Sequence, residues 1–141
     1  MIDDNLDAIY PVGEKQPDLV RTRTGHTLGD LTLDNLLAGH VGTSDFGITA
    51  EGLRLQAEIA QQAGRPNLSQ NLRRGAELVE IPDHVLLGVY ELLRPGRAQS
   101  ADELRAAANQ LRDVYGAKET AALLDEAALV YERRGIFQRR F

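Results

Sequence analysis

A proline set between two stretches of helical period constrains this chain more than any other feature. In residues 67–97, Leu68, Leu72, Ala76 and Val79 recur every three or four positions, while Arg73, Arg74, Glu77 and Glu80 take the other side. That is the spacing of an amphipathic helix, and Asn67 is a suitable N-cap for it. Beyond Pro82 the spacing resumes in Leu86, Val89, Tyr90 and Leu93. Proline has no N–H to donate and drives the residue before it out of the helical region, so it sits well at a helix start and badly in a helix interior. Ile81-Pro82-Asp83 is therefore a corner where one helix stops and another begins, and Pro95-Gly96 ends the second.

The rest of the chain reads in the same terms. Ser100 and Glu103 form a capping box, followed by Leu104, Ala108, Leu111 and Tyr115 on one row and by Gly116 as the stop. A last helix runs from about Lys118 to Arg134, with Ala121, Leu124, Ala128 and Tyr131 aligned, Leu123, Ala127 and Val130 beside them, and Gly135 as C-cap. Upstream, Thr32 caps a short helix with Leu33, Leu36 and Leu37 inward and Gly39 at its end; residues 42–47 form a loop. Thr49 caps a longer helix through Ala63, closed by Gly64-Arg65-Pro66. Its two adjacent apolar rows, Ala50, Leu53, Ala57 and Ala60 beside Leu55 and Ile59, predict contact on more than one side.

With no tryptophan and 5% aromatic residues, the core must come from Leu, Ala and Val. This favours closely packed helices. The expected fold is all-α, a compact bundle of four to six helices preceded by a long irregular N-terminal arm. Residues 1–31 carry no period, yet Ile9, Tyr10, Val12, Leu19, Val20, Leu28 and Leu31 are scattered among Pro11, Pro17 and Gly25. Such a segment gains by lying across another surface. The expected division is a partner-binding arm, residues 1–31, and a helical domain, residues 32–141; 141 residues suit one domain.

Several functions are disfavoured. A net charge of -5 and a pI near 5.2 do not suit a nucleic-acid binder. The basic cluster Arg133, Arg134, Arg139 and Arg140 reads as a helix C-terminus and its tail, and the helix after Pro82 lacks side chains for reading base edges. No cysteine is present. Residues 1–10 are acidic where a secretory signal is basic, and no apolar run approaches the roughly 20 residues of a membrane span, so a soluble chain is expected. His26, His40 and His84 are far apart, and Pro82 separates Glu80 from His84, so no metal site is expected. Gly39, Gly42 and Gly47 lack the spacing and lysine of a phosphate loop. Ser44, Ser69 and Ser100 read as turn or capping residues, and the pairs Glu77 with Glu80 and Asp102 with Glu103 as solvated helix faces. No catalytic, cofactor-binding or metal-binding residue is assigned.

Arg73, Arg74, Arg94 and Arg97 bracket the central corner in an otherwise acidic chain, and arginine forks suit the carboxylates and carbonyls of a protein interface. Around them, Arg73-Arg74-Gly75-Ala76-Glu77-Leu78, Ile81-Pro82-Asp83, Tyr90 and Leu93-Arg94-Pro95-Gly96-Arg97 resemble the signature of the small (gamma) subunit of adenosylcobalamin-dependent diol and glycerol dehydratases. A second block, Thr24-Gly25, Leu28, Asp30-Leu31-Thr32-Leu33, Leu37, Gly39, Val41, Asp45 and Ile48-Thr49, fits the same family, as does the weaker Tyr10-Pro11-Val12 with Lys15 and Pro17.

The resemblance implies a non-catalytic accessory subunit of a hydro-lyase that converts 1,2-diols such as propanediol, or glycerol, to aldehydes by radical dehydration. It implies large (alpha) and medium (beta) partner subunits in a dimer of heterotrimers, and adenosylcobalamin bound by the holoenzyme rather than by this chain. The expected location is cytoplasmic, with a bacterial microcompartment left open. The expected partner-interface residues are Tyr10, Lys15, Arg73, Arg74, Arg94 and Arg97. From periodicity alone, a helical adaptor or regulator binding a different protein stands beside this reading.

Overall fold

The computed structural model describes residues 6–137, and Arg139 and Arg140 of the basic cluster lie outside them. Among the described residues the regular structure is helical, with an isolated antiparallel bridge between Arg21 and Thr27. The α-helices are α1 (Val12–Lys15), α2 (Leu33–Leu37), α3 (Ala50–Gln62), α4 (Pro66–Glu80), α5 (Asp83–Leu93), α6 (Ala101–Tyr115) and α7 (Lys118–Arg134). Single 3-10 turns lie at Leu6–Ile9, Pro17–Leu19, Leu28–Asp30 and Thr43–Phe46. Two compact units divide the chain between Arg73 and Arg74.

In the first unit α3 starts where expected, because the Thr49 hydroxyl accepts from the Gly52 N–H at 3.1 Å. Gly64 ends that helix region in the left-handed conformation, at φ +72. Both of its apolar rows are used. Ala50, Ala57, Ile59 and Ala60 are buried, and Leu53 and Leu55 are half-buried. The turn at Leu6–Ile9 packs against α3, so the lead-in is tied to the helix that forms this unit's core.

Helix α2 departs from expectation. Thr32 caps it, accepting from Asn35 N–H at 3.2 Å, and Gly39 ends it at φ +76, but Leu33, Leu36 and Leu37 point outward, 69%, 42% and 78% exposed. The inward position belongs to Asn35, whose side-chain amide donates to the Asp30 carbonyl at 2.8 Å. Two turn-closing N–H groups, of His40 and Val41, then donate to the Asn35 carbonyl. A five-residue helix has one inward row, and here a polar anchor holds it.

Helix α4 begins at Pro66 rather than after an Asn67 cap. Ser69 N–H donates to the Arg65 carbonyl at 3.0 Å, and proline in the first turn forfeits no bond. Ser69, expected to cap a helix or shape a turn, is 1% exposed and its hydroxyl has no partner among the described residues; Leu68, expected on the buried stripe, is exposed instead.

The second unit is built on α6 and α7. A two-residue connection after Tyr115, with Gly116 left-handed at φ +64, turns the chain back on itself. Arg105 reaches Glu132 at 2.8 Å and Arg112 reaches Asp125 at 2.6 Å, so partners recede along α7 as they advance along α6 and the pair is antiparallel. Between them Leu104, Ala108, Leu111, Ala121, Leu124 and Ala128 are fully buried. Helix α5 closes this core with Val89, and with Val85, Leu86 and Leu93 partly buried against it. Tyr90, expected on the inward row, is instead 64% exposed: with Val89 facing the core, the next residue rotates away by about 100°. At the start of α6 Ser100 accepts from Glu103 N–H, and the Glu103 carboxylate reaches Gln99 N–H at 3.1 Å, one residue earlier than the expected box.

Candidate functional site

The most concentrated polar structure of the first unit surrounds Asp45. The residue is 5% exposed, and each side-chain oxygen is occupied. Oδ1 accepts from the Thr22 hydroxyl at 2.8 Å and from the Thr24 hydroxyl, with His26 Nδ1 at 3.2 Å; Oδ2 accepts from Gly42 N–H at 2.8 Å. These bonds to the charged form, the Thr24 hydroxyl foremost and then the Gly42 amide, hold the carboxyl well below its ordinary range. Left-handed Gly25, at φ +93, makes the turn that brings Thr22, Thr24 and His26 to one side. Thr22 N–H, donating to the His26 carbonyl at 3.0 Å, closes it.

A second carboxylate continues the structure. Asp30 Oδ2 accepts from both the N–H and the hydroxyl of Thr27 at 2.8 Å, and its pKa is lowered by that backbone bond first and the hydroxyl second. Thr24, Gly25, Asp30, Thr32, Gly39 and Asp45, all quoted above for the family resemblance, are among the residues that hold residues 21–45 together as a hydrogen-bonded frame, with Thr22, His26, Thr27, Asn35 and Gly42 as their partners or neighbours. Around it Leu33, Leu37, Phe46 and Ile48 stand more than half exposed.

The residues expected at an interface fall into separate groups. Tyr10, 61% exposed, precedes Pro11, the N-cap of α1, and exposed Lys15 is the last residue of that helix. Arg73 is exposed on α4; its neighbour Arg74 is half-buried, with an Nε that has no partner among the described residues. Arg94 and Arg97 come together at the end of α5 on one carboxylate, Glu91, at 2.8 and 3.5 Å. Both arginines are about half exposed. Tyr90 and Leu87 stand beside them on the same outer face, 64% and 65% exposed.

Glu77 was expected on a solvated face and is not there. Its carboxylate, on α4, accepts from the N–H groups of Glu119 and Thr120 and from the Thr120 hydroxyl, and so caps α7 from a distance. The clue available in sequence was the missing N-cap of α7: Ala117 occupies that position and offers no side-chain acceptor.

The three histidines occupy separate places. His26 is held by Thr24 and Asp45, His40 pairs with the Asn35 side chain at 3.4 Å, and His84 is a single exposed residue in the first turn of α5. Among the described residues no three His, Cys, Asp or Glu side chains converge. No helix of the described residues is long and apolar enough to cross a membrane.

Comparison with known proteins joins these features to a family. A propanediol dehydratase small subunit of Citrobacter freundii is 48% identical over 125 residues, spanning 89% of this chain and 72% of that protein. A propanediol dehydratase small subunit of Salmonella typhimurium is 46% identical over 125 residues, with the same coverage. The family described as dehydratase small subunit matches residues 6–138, which takes in the Asp45 frame, the Pro82 corner and the paired helices α6 and α7 alike. The chain belongs to the dehydratase small-subunit family.

Proposed function

We propose that this chain is the non-catalytic small subunit of an adenosylcobalamin-dependent diol dehydratase, a hydro-lyase acting on 1,2-diols such as propanediol, or on glycerol. Its partners are a large (alpha) and a medium (beta) subunit, in a dimer of heterotrimers. Bound to those partners, adenosylcobalamin supplies the radical that removes hydrogen from the diol on the way to the aldehyde. This chain contributes surface to the assembly. The observation that carries the reading is apolar exposure around a hydrogen-bonded polar frame: Leu33, Leu37, Phe46 and Ile48 stand outward beside a buried Asp45 with both carboxylate oxygens bonded. A frame of this kind presents side chains in fixed positions, which lowers the ordering cost of association.

In this reading Tyr10 and Lys15, together with residues 1–31 as a partner-binding arm, belong to one contact region, and Arg73, Arg74, Arg94 and Arg97 supply charged contacts to the large subunit. The assembly is cytoplasmic, or housed in a bacterial microcompartment. The test is aldehyde formation from propanediol by the large and medium subunits with adenosylcobalamin, with and without this chain. Activity that requires the chain supports the proposal, and equal activity without it contradicts the proposal.

A further inference from the structure

An arginine side chain is among those with the most rotamer freedom to lose, so one that the fold orients while leaving it exposed calls for a reason beyond stability. Arg23 is such a residue. Its two neighbours in the chain, Thr22 and Thr24, both donate their hydroxyls to Oδ1 of Asp45, which pins the main chain on either side of it. Its guanidinium then reaches across to residues 47 and 48. One N–H donates to the Ile48 carbonyl at 3.4 Å, and a Cβ added at Gly47 would meet the Arg23 Cζ and Nε at 3.8 Å, so the planar group lies beside Gly47. A bond this long and this exposed orients the group and adds little to the stability of the fold.

What flanks the guanidinium is apolar. Phe46 and Ile48, the residues on either side of Gly47, are 56% and 65% exposed. Arg23 is itself exposed, and among the described residues no carboxylate lies within ion-pair distance of it. Arg105 and Arg112, by contrast, spend their forks on carboxylates of the same chain. An oriented arginine between an aromatic and a branched aliphatic side chain is the composition of an interface centre. What the fork still lacks is a planar pair of oxygens, which a carboxylate supplies through two parallel bonds. A second copy of this chain docking through the same patch would bring two arginines to one interface, and the carboxylates that hold the frame, Asp30 and Asp45, are already bonded.

Resting on the subunit reading above, we infer that Arg23, Phe46 and Ile48 form one docking patch, in which Arg23 receives a carboxylate of the large dehydratase subunit and Phe46 and Ile48 enter apolar surface around it. The apolar contacts exclude water from the ion pair and so strengthen it. Because the guanidinium is oriented before the partner arrives, little of its freedom remains to be lost on association. Lysine in its place keeps the charge but cannot hold the Ile48 carbonyl and both carboxylate oxygens in one plane.

The experiment uses the full chain co-expressed with the large and medium subunits from the same genome, with Arg23→Lys, Arg23→Glu and the double variant Phe46→Ser/Ile48→Ser. Thermal unfolding of the isolated chain, and the affinity of the complex at low and at high salt, are measured for each. The inference expects all three variants to unfold at the wild-type midpoint. It expects Arg23→Glu to weaken association at least about tenfold at low salt, Arg23→Lys by a smaller factor, and the double variant to weaken it at either salt. Wild-type affinity falls with salt more steeply than that of Arg23→Glu. An Arg23→Glu chain that assembles as tightly as the wild type overturns the inference. So does a lowered midpoint that accompanies lost association, which would make Arg23 a residue of the fold, or an isolated wild-type dimer that Arg23→Glu dissociates, which would assign the patch to a second copy. Failure of the wild-type chain to assemble overturns the subunit reading itself, a result distinct from wild-type assembly that Arg23→Glu leaves untouched.

Discussion

Glu77 and Thr120 are joined twice: Oε2 of Glu77 accepts the Thr120 N–H at 2.8 Å and the Thr120 hydroxyl at 2.7 Å, while Oε1 takes the Glu119 N–H at 2.8 Å. One side chain from α4 thus satisfies the N-terminal donors of α7, which its own Ala117 leaves open. Replacing a capping side chain with alanine costs about 0.5–2 kcal/mol. Glu77→Ala is expected in the upper half of that range, because three bonds are lost and Thr120 is buried. Urea unfolding, with the slope unchanged and the midpoint lowered, checks it; a midpoint equal to wild type contradicts it.

Asp45 makes stability depend on acid. Its carboxyl is lowered from an ordinary value of 3.8 by the Thr24 and Thr22 hydroxyls and the Gly42 amide. The unfolded chain therefore binds this proton more readily than the folded one. The contribution is complete above about pH 4 and is lost progressively as pH falls below the unfolded value. Asp45→Asn keeps the shape, removes the charge and leaves an amide N–H₂ facing donors. It is expected to be less stable than wild type at pH 7, with the difference narrowing below pH 4. A constant difference across pH 7 to 3 would show that the carboxylate's charge is not what holds the frame.

The core of the second unit is small and closely filled. Leu111 is fully buried among Ala108, Ala121 and Leu124, residues with little volume to move into a void. Leu111→Ala is expected to cost about 2–5 kcal/mol. Calorimetric unfolding measures this, and a cost under about 1 kcal/mol would mean that α6 and α7 close over the gap.

The outward leucines of α2 should behave in the opposite way. Leu33→Ser/Leu37→Ser removes apolar surface that is 69% and 78% exposed, so stability should change by no more than about 0.5 kcal/mol per site. Association with the large subunit should weaken. Calorimetry and co-elution together test this pair of outcomes; lost stability with unchanged assembly would reverse the assignment of α2.

Much of the helical plan was legible in sequence because local rules decide it. Thr49, Thr32 and Ser100 cap helices where their spacing to the following turn indicated, and Gly39, Gly64, Gly116 and Gly135 all adopt positive φ at helix ends. What stayed hidden is non-local. Asp45 meets residues 19 to 23 positions earlier in the chain, and Glu77 meets residues 42 and 43 positions later. Nothing in the spacing of either carboxylate distinguishes it from a solvated one. Leu33, Leu36, Leu37, Leu68 and Tyr90 fit a buried row by period yet face outward, because period gives the direction of a stripe and not what covers it. The arginines stand out as a group in the sequence, but the sharing of Glu91 by Arg94 and Arg97 does not.

Purification of the chain co-expressed with the large and medium subunits, followed by mass measurement of the eluting species, bears most directly on whether it is built to be part of a larger enzyme. The account predicts that all three chains elute together in equal amounts. It also predicts that the chain alone, at the same concentration, converts no propanediol. Elution of the chain apart from both partners, as a stable monomer with its own turnover, would contradict it.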